Sequence, residues 1–250
     1  MANSLKERLS QIVWTSKTTF SLDGIDYLLE DVGALHEGDA LSVMKPASFF
    51  RTYGEMLRYA PTRNVMELGI RRGGSAVFLA SLFQAEKLVT VDILPQAPEL
   101  DRFRQRHPLG ARIAPCYETS QDDEAKLKQI VAREFDGPID LVIDDASHFY
   151  DLTKASFEIL FPLLRPRGFY VIEDWSWAHT RGFHDWKDQP ALSNLLFQLI
   201  MAQPSRPDLF AGVHVYPGIA YIQKGPAEPG SSRLDLDPLC WAQGRTFNLL

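Results

Sequence analysis

Five short apolar runs separated by amphipathic stretches constrain this chain more than any other feature. Asn64–Leu68, Lys87–Asp92, Ala111–Cys116, Ile139–Asp144 and Phe169–Ile172 read as strands. Helical periodicity falls between and after them. It runs through Ala76–Phe83, Glu99–Arg106, Leu127 to Phe135, and Phe157, Leu160, Phe161 and Leu164, where Pro166 and Gly168 stop it. A further helix repeats at Leu192, Leu195, Leu196, Leu199 and Ile200. Strands alternating with helices predict an α/β fold with right-handed βαβ crossovers and a mainly parallel sheet. Val213–Tyr216 and Ile219–Gln223 flank Pro217-Gly218. That pattern adds a C-terminal hairpin whose last strand lies antiparallel, giving seven strands in all.

Residues 1–62 form an arm ahead of this body. Leu5, Leu9, Ile12 and Val13 share one helical face, Thr18 to Leu28 reads as strand or loop, and Gly33 to Lys45 reads as loop. A second helix starts at Pro46 and runs through Phe49, Phe50, Tyr53, Met56 and Leu57. The Tyr27–Leu41 stretch is a candidate lid. The body spans 63–225, and a tail covers 226–250. Leu234, Leu236, Leu239 and Trp241 suit the tail to docking on the body or on a neighbouring subunit of a homo-oligomer.

A net charge of −6 supplies no basic field for nucleic acid. Cys116 and Cys240 lie far apart with no CxxC, which excludes a disulfide framework or a zinc cluster. Lys6, Glu7 and Arg8 interrupt the N-terminus, and no apolar run approaches the roughly 20 residues that span a bilayer. The expectation is a soluble, cytoplasmic protein without membrane insertion.

Ligands of open parallel sheets bind outside the carboxyl ends of the strands, and acids collect there in this chain. The ends carry Glu67 and Gly69, then Asp92, Cys116, Asp144 and Asp145, and Glu173 and Asp174. After the first strand, Gly69 permits a tight turn. Gly73 and Gly74 then allow a ligand to approach a helix N-terminus, whose free N–H groups favour an anion. Asp92 lies 25 residues beyond Glu67 and can accept both hydroxyls of a ribose. Arg71 stands where a G-x-G-x-x-G fingerprint needs its second glycine, which argues against a nicotinamide oxidoreductase.

The later acids point to a cation. Convergent carboxylates repel one another and raise each other's pKa unless a cation holds them. Oxygen donors with at most one histidine suit Mg²⁺ or Mn²⁺. Asp145, Glu173 and Asp174 are assigned to the ion, with Asp144 in reserve. Asp144 could instead bind a ligand amine, and Asp174 could cap a helix. His148 follows Asp145 by three residues and is placed to act as a general base. Residues 175–186 bring three tryptophans and two histidines beside this site, a composition suited to an acceptor pocket.

The E-x-G-x-x-x-G-G pattern with its distant acid resembles class I S-adenosylmethionine-dependent methyltransferases. The resemblance implies a Rossmann-like fold. It assigns Glu67, Gly69, Gly73, Gly74 and Ser75 to the methionine-binding loop and Asp92 to the ribose. It also implies an adenine site near Tyr117–Asp122, with Ser120 and Gln121 as candidates. A narrower resemblance rests on D-D-A-S-H followed by F-x-x-L-F-P-x-L-x-P-x-G-x-Y-V-I-E-D-W. These residues look like the metal-dependent sugar O-methyltransferases that tailor macrolides, and like the related cephalosporin-biosynthesis family. The spacing of 28 residues from Asp145 to Glu173 fits, and the likeness covers about residues 46–224. It implies Mg²⁺-dependent methylation of a hydroxyl, with Mn²⁺ an alternative. The acceptor would be a small-molecule glycoside or polyol, such as a deoxysugar of a glycosylated natural product or glycolipid. Such relatives often carry an extra N-terminal domain, where this chain has a short arm. A catechol-like phenol as acceptor, or a non-catalytic cofactor-binding accessory protein, are the other readings.

Overall fold

The computed structural model describes residues 5–30, 40–56, 62–182, 188–240 and 248–249. They fall into two compact units, Met1–Glu118 and Thr119–Leu250. The first unit holds α1 (Leu5–Ser10), β1 (Val13–Trp14), β2 (Thr19–Leu22), β3 (Ile25–Leu29), β4 (Leu41–Val43), α2 (Ala47–Met56), β5 (Asn64–Leu68), α3 (Gly74–Phe83), β6 (Lys87–Val91), α4 (Pro98–Arg106) and β7 (Ile113–Cys116). The second holds α5 (Glu124–Glu134), β8 (Ile139–Asp144), α6 (Tyr150–Leu160), β9 (Leu164–Glu173), α7 (Ser193–Ser205), β10 (Phe210–Tyr216), β11 (Ile219–Lys224) and α8 (Asp237–Cys240).

A seven-stranded sheet runs in the order β10-β11-β9-β8-β5-β6-β7. The pairs β5–β6, β6–β7 and β8–β9 are parallel, and β11 pairs antiparallel with both β9 and β10. This is the doubly wound arrangement with a C-terminal hairpin that the alternating pattern predicts. Residues 65–68 and 88–91 are buried without alternation, as strands covered on both faces must be.

In the first unit α3 is buried at every position. A helix apolar all round needs cover on every side, and the arm supplies part of it. Residues 5–56 build a four-stranded sheet, β1-β2-β3-β4, with β3 and β4 parallel. Phe78 of α3 meets Phe50 at 4.4 Å, Phe20 at 5.5 Å and Tyr27 at 5.6 Å between ring centroids. The Gly33–Lys45 stretch therefore is not loop throughout. Leu41 and Val43 are buried and form a strand, a signal too short to stand out beside the neighbouring glycines. Much of the candidate lid, residues 31–39, lies outside the described residues. Gly74 sits where a side chain would collide with this added layer, since a Cβ there would stand 1.9 Å from the Ser42 carbonyl oxygen.

In the second unit α6 ends at Leu160, four residues short of the predicted boundary. Pro162 has no N–H to continue the helix, and its ring crowds the preceding turn. A single 3-10 turn over Phe161–Leu163 follows, and Leu164 opens β9. The freed carbonyls of Pro162 and Leu164 accept hydrogen bonds from the buried Lys224 ammonium, at 2.9 and 2.6 Å. Pro166 and Gly168, expected as helix stops, instead lie within β9, where the register against β8 slips between Ile139 and Leu141. The tail docks on its own unit. Leu234 and Leu236 are buried, and the Leu234 N–H donates to the Glu158 carbonyl at 2.9 Å. Trp241 lies outside the described residues.

Gly74→Ala is expected to destabilise the protein by about 2 kcal/mol, because β4 or α3 must shift to admit the methyl group. Urea unfolding of the two proteins, read by circular dichroism, measures this directly.

Candidate active site

The turn between β5 and α3 is held by the acid that follows β6. Asp92 Oδ2 accepts the N–H groups of Ile70 at 2.8 Å and Arg71 at 2.9 Å, and Oδ1 accepts that of Leu94 at 2.8 Å. A carboxylate has about four acceptor positions, so Asp92 shapes the loop and keeps capacity for one further donor. Gly73 closes the turn with φ of 89°, a conformation costly for any residue with a Cβ, and its N–H donates to the Ile70 carbonyl. Ser75 lies buried in the first turn of α3. Arg72 is drawn aside by acids, its guanidinium 2.6 Å from Glu99 and 3.6 Å from Glu30.

Glu67 is fully buried, and the Lys45 ammonium stands 3.4 Å from its Oε1. Lys45 follows β4, so the arm delivers a positive charge beneath the glycine-rich turn. Sequence reasoning missed this residue. The available signal was a lone lysine closing the apolar run Leu41–Met44.

In the second unit the two acidic doublets each divide. Asp144 turns inward and is 2% exposed. Its carboxylate accepts the Ser156 hydroxyl at 2.5 Å and the Tyr170 hydroxyl at 2.8 Å, and the Gln121 amide at 3.3 Å. Burial pushes the Asp144 carboxyl up to about 6, with the Ser156 and Tyr170 hydrogen bonds pulling the other way. Glu173, the first member of the second doublet, is likewise buried at 1% exposure.

The other two members come together. Asp145, His148 and Asp174 each offer a donor atom, and these atoms lie within 4.8 Å of one another. His148 Nε2 stands 4.0 Å from Asp145 Oδ1. Two carboxylates and an imidazole so close form a donor set suited to a divalent cation of Mg²⁺ or Mn²⁺ type. Glu173 lies outside this group. The backbone supports a functional reading, because His148 and Asp174 both adopt left-handed conformations, with φ of 58° and 55°. Such conformations cost free energy in non-glycine residues and persist only where the surroundings impose them. Around Asp174 the N–H donates to the Gly218 carbonyl at 2.6 Å, in the turn of the β10–β11 hairpin. Around His148 the ring packs on Trp177, 4.3 Å between centroids.

Of the adenine candidates, Ser120 donates to the nearby Asp122 carboxylate, while Gln121 is buried with its amide turned toward Asp144. The Trp/His segment is anchored at both ends of its described part. Trp175 Nε1 donates to the Tyr216 carbonyl at 2.9 Å, and His179 Nε2 meets the Ser193 hydroxyl at 2.8 Å. His184 and Trp186 lie outside the described residues. No described helix is long and apolar enough to cross a membrane.

Comparison with known proteins accords with this geometry. Residues 66–175 match a methyltransferase domain family. The chain is 33% identical, over 70% of its length and 48% of the relative's, to 8-demethyl-8-(2-methoxy-alpha-L-rhamnosyl)-tetracenomycin-C 3'-O-methyltransferase of Streptomyces olivaceus. It is also 33% identical, over 63% of its length and 41% of the relative's, to mycinamicin VI 2''-O-methyltransferase of Micromonospora griseorubida. The chain thus spans about half the length of the curated relatives it matches. Among solved structures, it is similar to the MycE methyltransferase of the mycinamycin pathway in complex with Mg, SAH and mycinamycin VI. That likeness has a TM-score of 0.57 and 29% identity, covering 73% of this chain and 51% of that one. The seven-stranded sheet, the glycine-rich turn with its acid and the family match place residues 66–175 in the methyltransferase domain family, with the Rossmann-like class I fold and with sugar O-methyltransferases of antibiotic pathways as relatives.

Proposed function

We propose that this protein moves a methyl group from S-adenosylmethionine to a hydroxyl on the sugar of a glycosylated small molecule, with a divalent cation at the acidic cluster. The observation that carries this reading is the grouping of Asp145, His148 and Asp174 just beyond the ends of β8 and β9 in a chain of methyltransferase fold. Its relatives, methyltransferases of rhamnosyl-tetracenomycin and mycinamicin, favour a sugar over a catechol.

Glu67, Gly69, Gly73, Gly74, Ser75 and Asp92 are the residues for the cofactor. The N-terminus of α3 suits its carboxylate, and the remaining acceptor capacity of Asp92 suits a ribose hydroxyl. Asp145 and Asp174 would hold the ion, while Glu173, assigned to it from the sequence, lies buried outside their donor group. When bound, Mg²⁺ or Mn²⁺ supplies a fixed positive charge that favours the deprotonated hydroxyl and orients neighbouring oxygens. His148 takes the hydroxyl proton on its ring nitrogen, and Trp177 holds that ring in place. Loss of the proton would leave the oxygen able to attack the methyl carbon, the O–C bond forming as the C–S bond breaks and S-adenosylhomocysteine departs. Positioning and charge stabilisation carry most of the rate enhancement.

The donor grouping favours a second reading of one residue, in which His148 is a ligand of the ion and not the base. The two roles separate experimentally. As base, His148→Ala lowers kcat about a hundredfold or more while Mn²⁺ affinity stays unchanged. As ligand, the same substitution weakens Mn²⁺ binding in step with activity. Electron paramagnetic resonance of Mn²⁺ beside steady-state kinetics on a rhamnosylated acceptor distinguishes them.

Asp145→Ala is expected to abolish the Mn²⁺ signal and turnover together, while binding of S-adenosylhomocysteine by calorimetry persists. Retained metal-dependent turnover in Asp145→Ala would remove the acidic cluster from the mechanism.

A further inference from the structure

We infer that Gln121 is a positioning residue that clamps the turn carrying Asp145 and His148. This rests on the metal-dependent reading above. Gln121 lies between β7 and α5, two residues before Asp123, whose carboxylate caps α5. Its side chain is 6% exposed. The amide uses both of its ends. Nε2 donates to Asp144, 3.3 Å from Oδ1 and 3.4 Å from Oδ2, and approaches the Ser156 hydroxyl at 3.3 Å. Oε1 accepts the Ser147 N–H at 2.9 Å. One planar group therefore grips the segment 144–147 at its first side chain and at its last backbone N–H.

The chemistry of the clamp is specific. A primary amide offers donors on one side and an acceptor on the other. Here the donor side meets a carboxylate and the acceptor side meets an N–H, so the amide orientation is dictated. Glutamate at 121 would set two carboxylates against each other across about the same distance. Methionine would fill the space but leave the Ser147 N–H and the Asp144 carboxylate short of a partner. Asp145 lies inside the gripped segment, and His148, with φ of 58°, follows it directly. The clamp thus fixes the span that must present the Asp145 carboxylate and the His148 imidazole in register. Groups that orient metal-binding residues from behind commonly change metal affinity about 10- to 100-fold when removed.

The test uses Gln121→Glu, Gln121→Met and the exchanged pair Gln121→Glu with Asp144→Asn. In the exchanged pair the amide donor moves to position 144, and the carboxylate at 121 still accepts the Ser147 N–H. Mn²⁺ affinity by electron paramagnetic resonance and S-adenosylhomocysteine affinity by calorimetry are measured on each folded protein. Both single variants are expected to weaken Mn²⁺ about tenfold or more, leave the nucleoside affinity within about twofold, and speed hydrogen exchange at the Ser147 amide. The exchanged pair is expected to recover most of the Mn²⁺ affinity and the slow exchange. Unchanged Mn²⁺ affinity, or no recovery in the exchanged pair, would overturn the clamp. So would a nucleoside affinity that falls as far as the metal affinity, since that marks a direct cofactor contact. Hydrogen exchange at Ser147 needs no ligand. A wild-type protein that binds neither Mn²⁺ nor the nucleoside would therefore defeat the proposed function, while the exchange rates still judge the clamp.

Discussion

Burial of α3 on every side is the constraint from which the first unit follows. Ten residues without a polar face cannot border water on any side. The parallel strands and the α4 region cover part of this helix, and the arm covers more of it. That requirement brings the small sheet and its aromatic rings against Phe78. It also sets how closely β4 approaches, which only glycine at 74 permits. Because β4 is held there, Lys45 is carried to Glu67, and a buried ion pair forms below the glycine-rich turn. Such a pair adds little net stability but is costly to break on one side. Packing and site chemistry are therefore linked through one short strand.

The second unit divides its acids where β8 and β9 end. Each doublet sends one carboxylate into the protein and leaves the other in the donor group with His148. The inward member is not spare. Asp144 gathers Ser156, Tyr170 and Gln121 around itself, and through Gln121 it is joined to the backbone of the turn that follows β8. A buried carboxylate satisfied in this way makes the turn rigid, where an unsatisfied one would make it costly.

Much of this was legible in the residues. The five core strands, the hairpin, the glycine-rich turn and the acids at strand ends follow from apolar runs, glycines and a Pro-Gly turn. The boundary of α6 was misjudged because Leu164 continued the helical spacing after Pro162 had already ended the helix. The β4 strand was missed because three residues carry too little pattern to outweigh nearby glycines. At the site, the residues suggested Asp145, Glu173 and Asp174 for an ion with His148 as base, whereas the donor atoms that lie together are those of Asp145, His148 and Asp174. Asp145 and Asp144 were given different roles from the sequence, but the hydrogen bonds of Asp144 to Ser156, Tyr170 and Gln121 were not foreseen. The partners of Gln121 and Lys45 depend on tertiary placement. No local pattern encodes which carboxylate a distant amide or ammonium will meet.

The left-handed backbone at Asp174 and His148 also limits how this donor set can vary. At 174 the conformation tolerates aspartate, asparagine and glycine far better than other residues. Replacing the donor there by glutamate, or by a β-branched side chain, carries a backbone cost before any question of chemistry arises. Position 145 is free of that filter, since its φ is not among the positive values. A combinatorial library aimed at a different ion would therefore find its freedom at 145 and little at 174. Drift in the family, or engineering of it, has one adjustable carboxylate and one whose identity is held by the shape of the main chain.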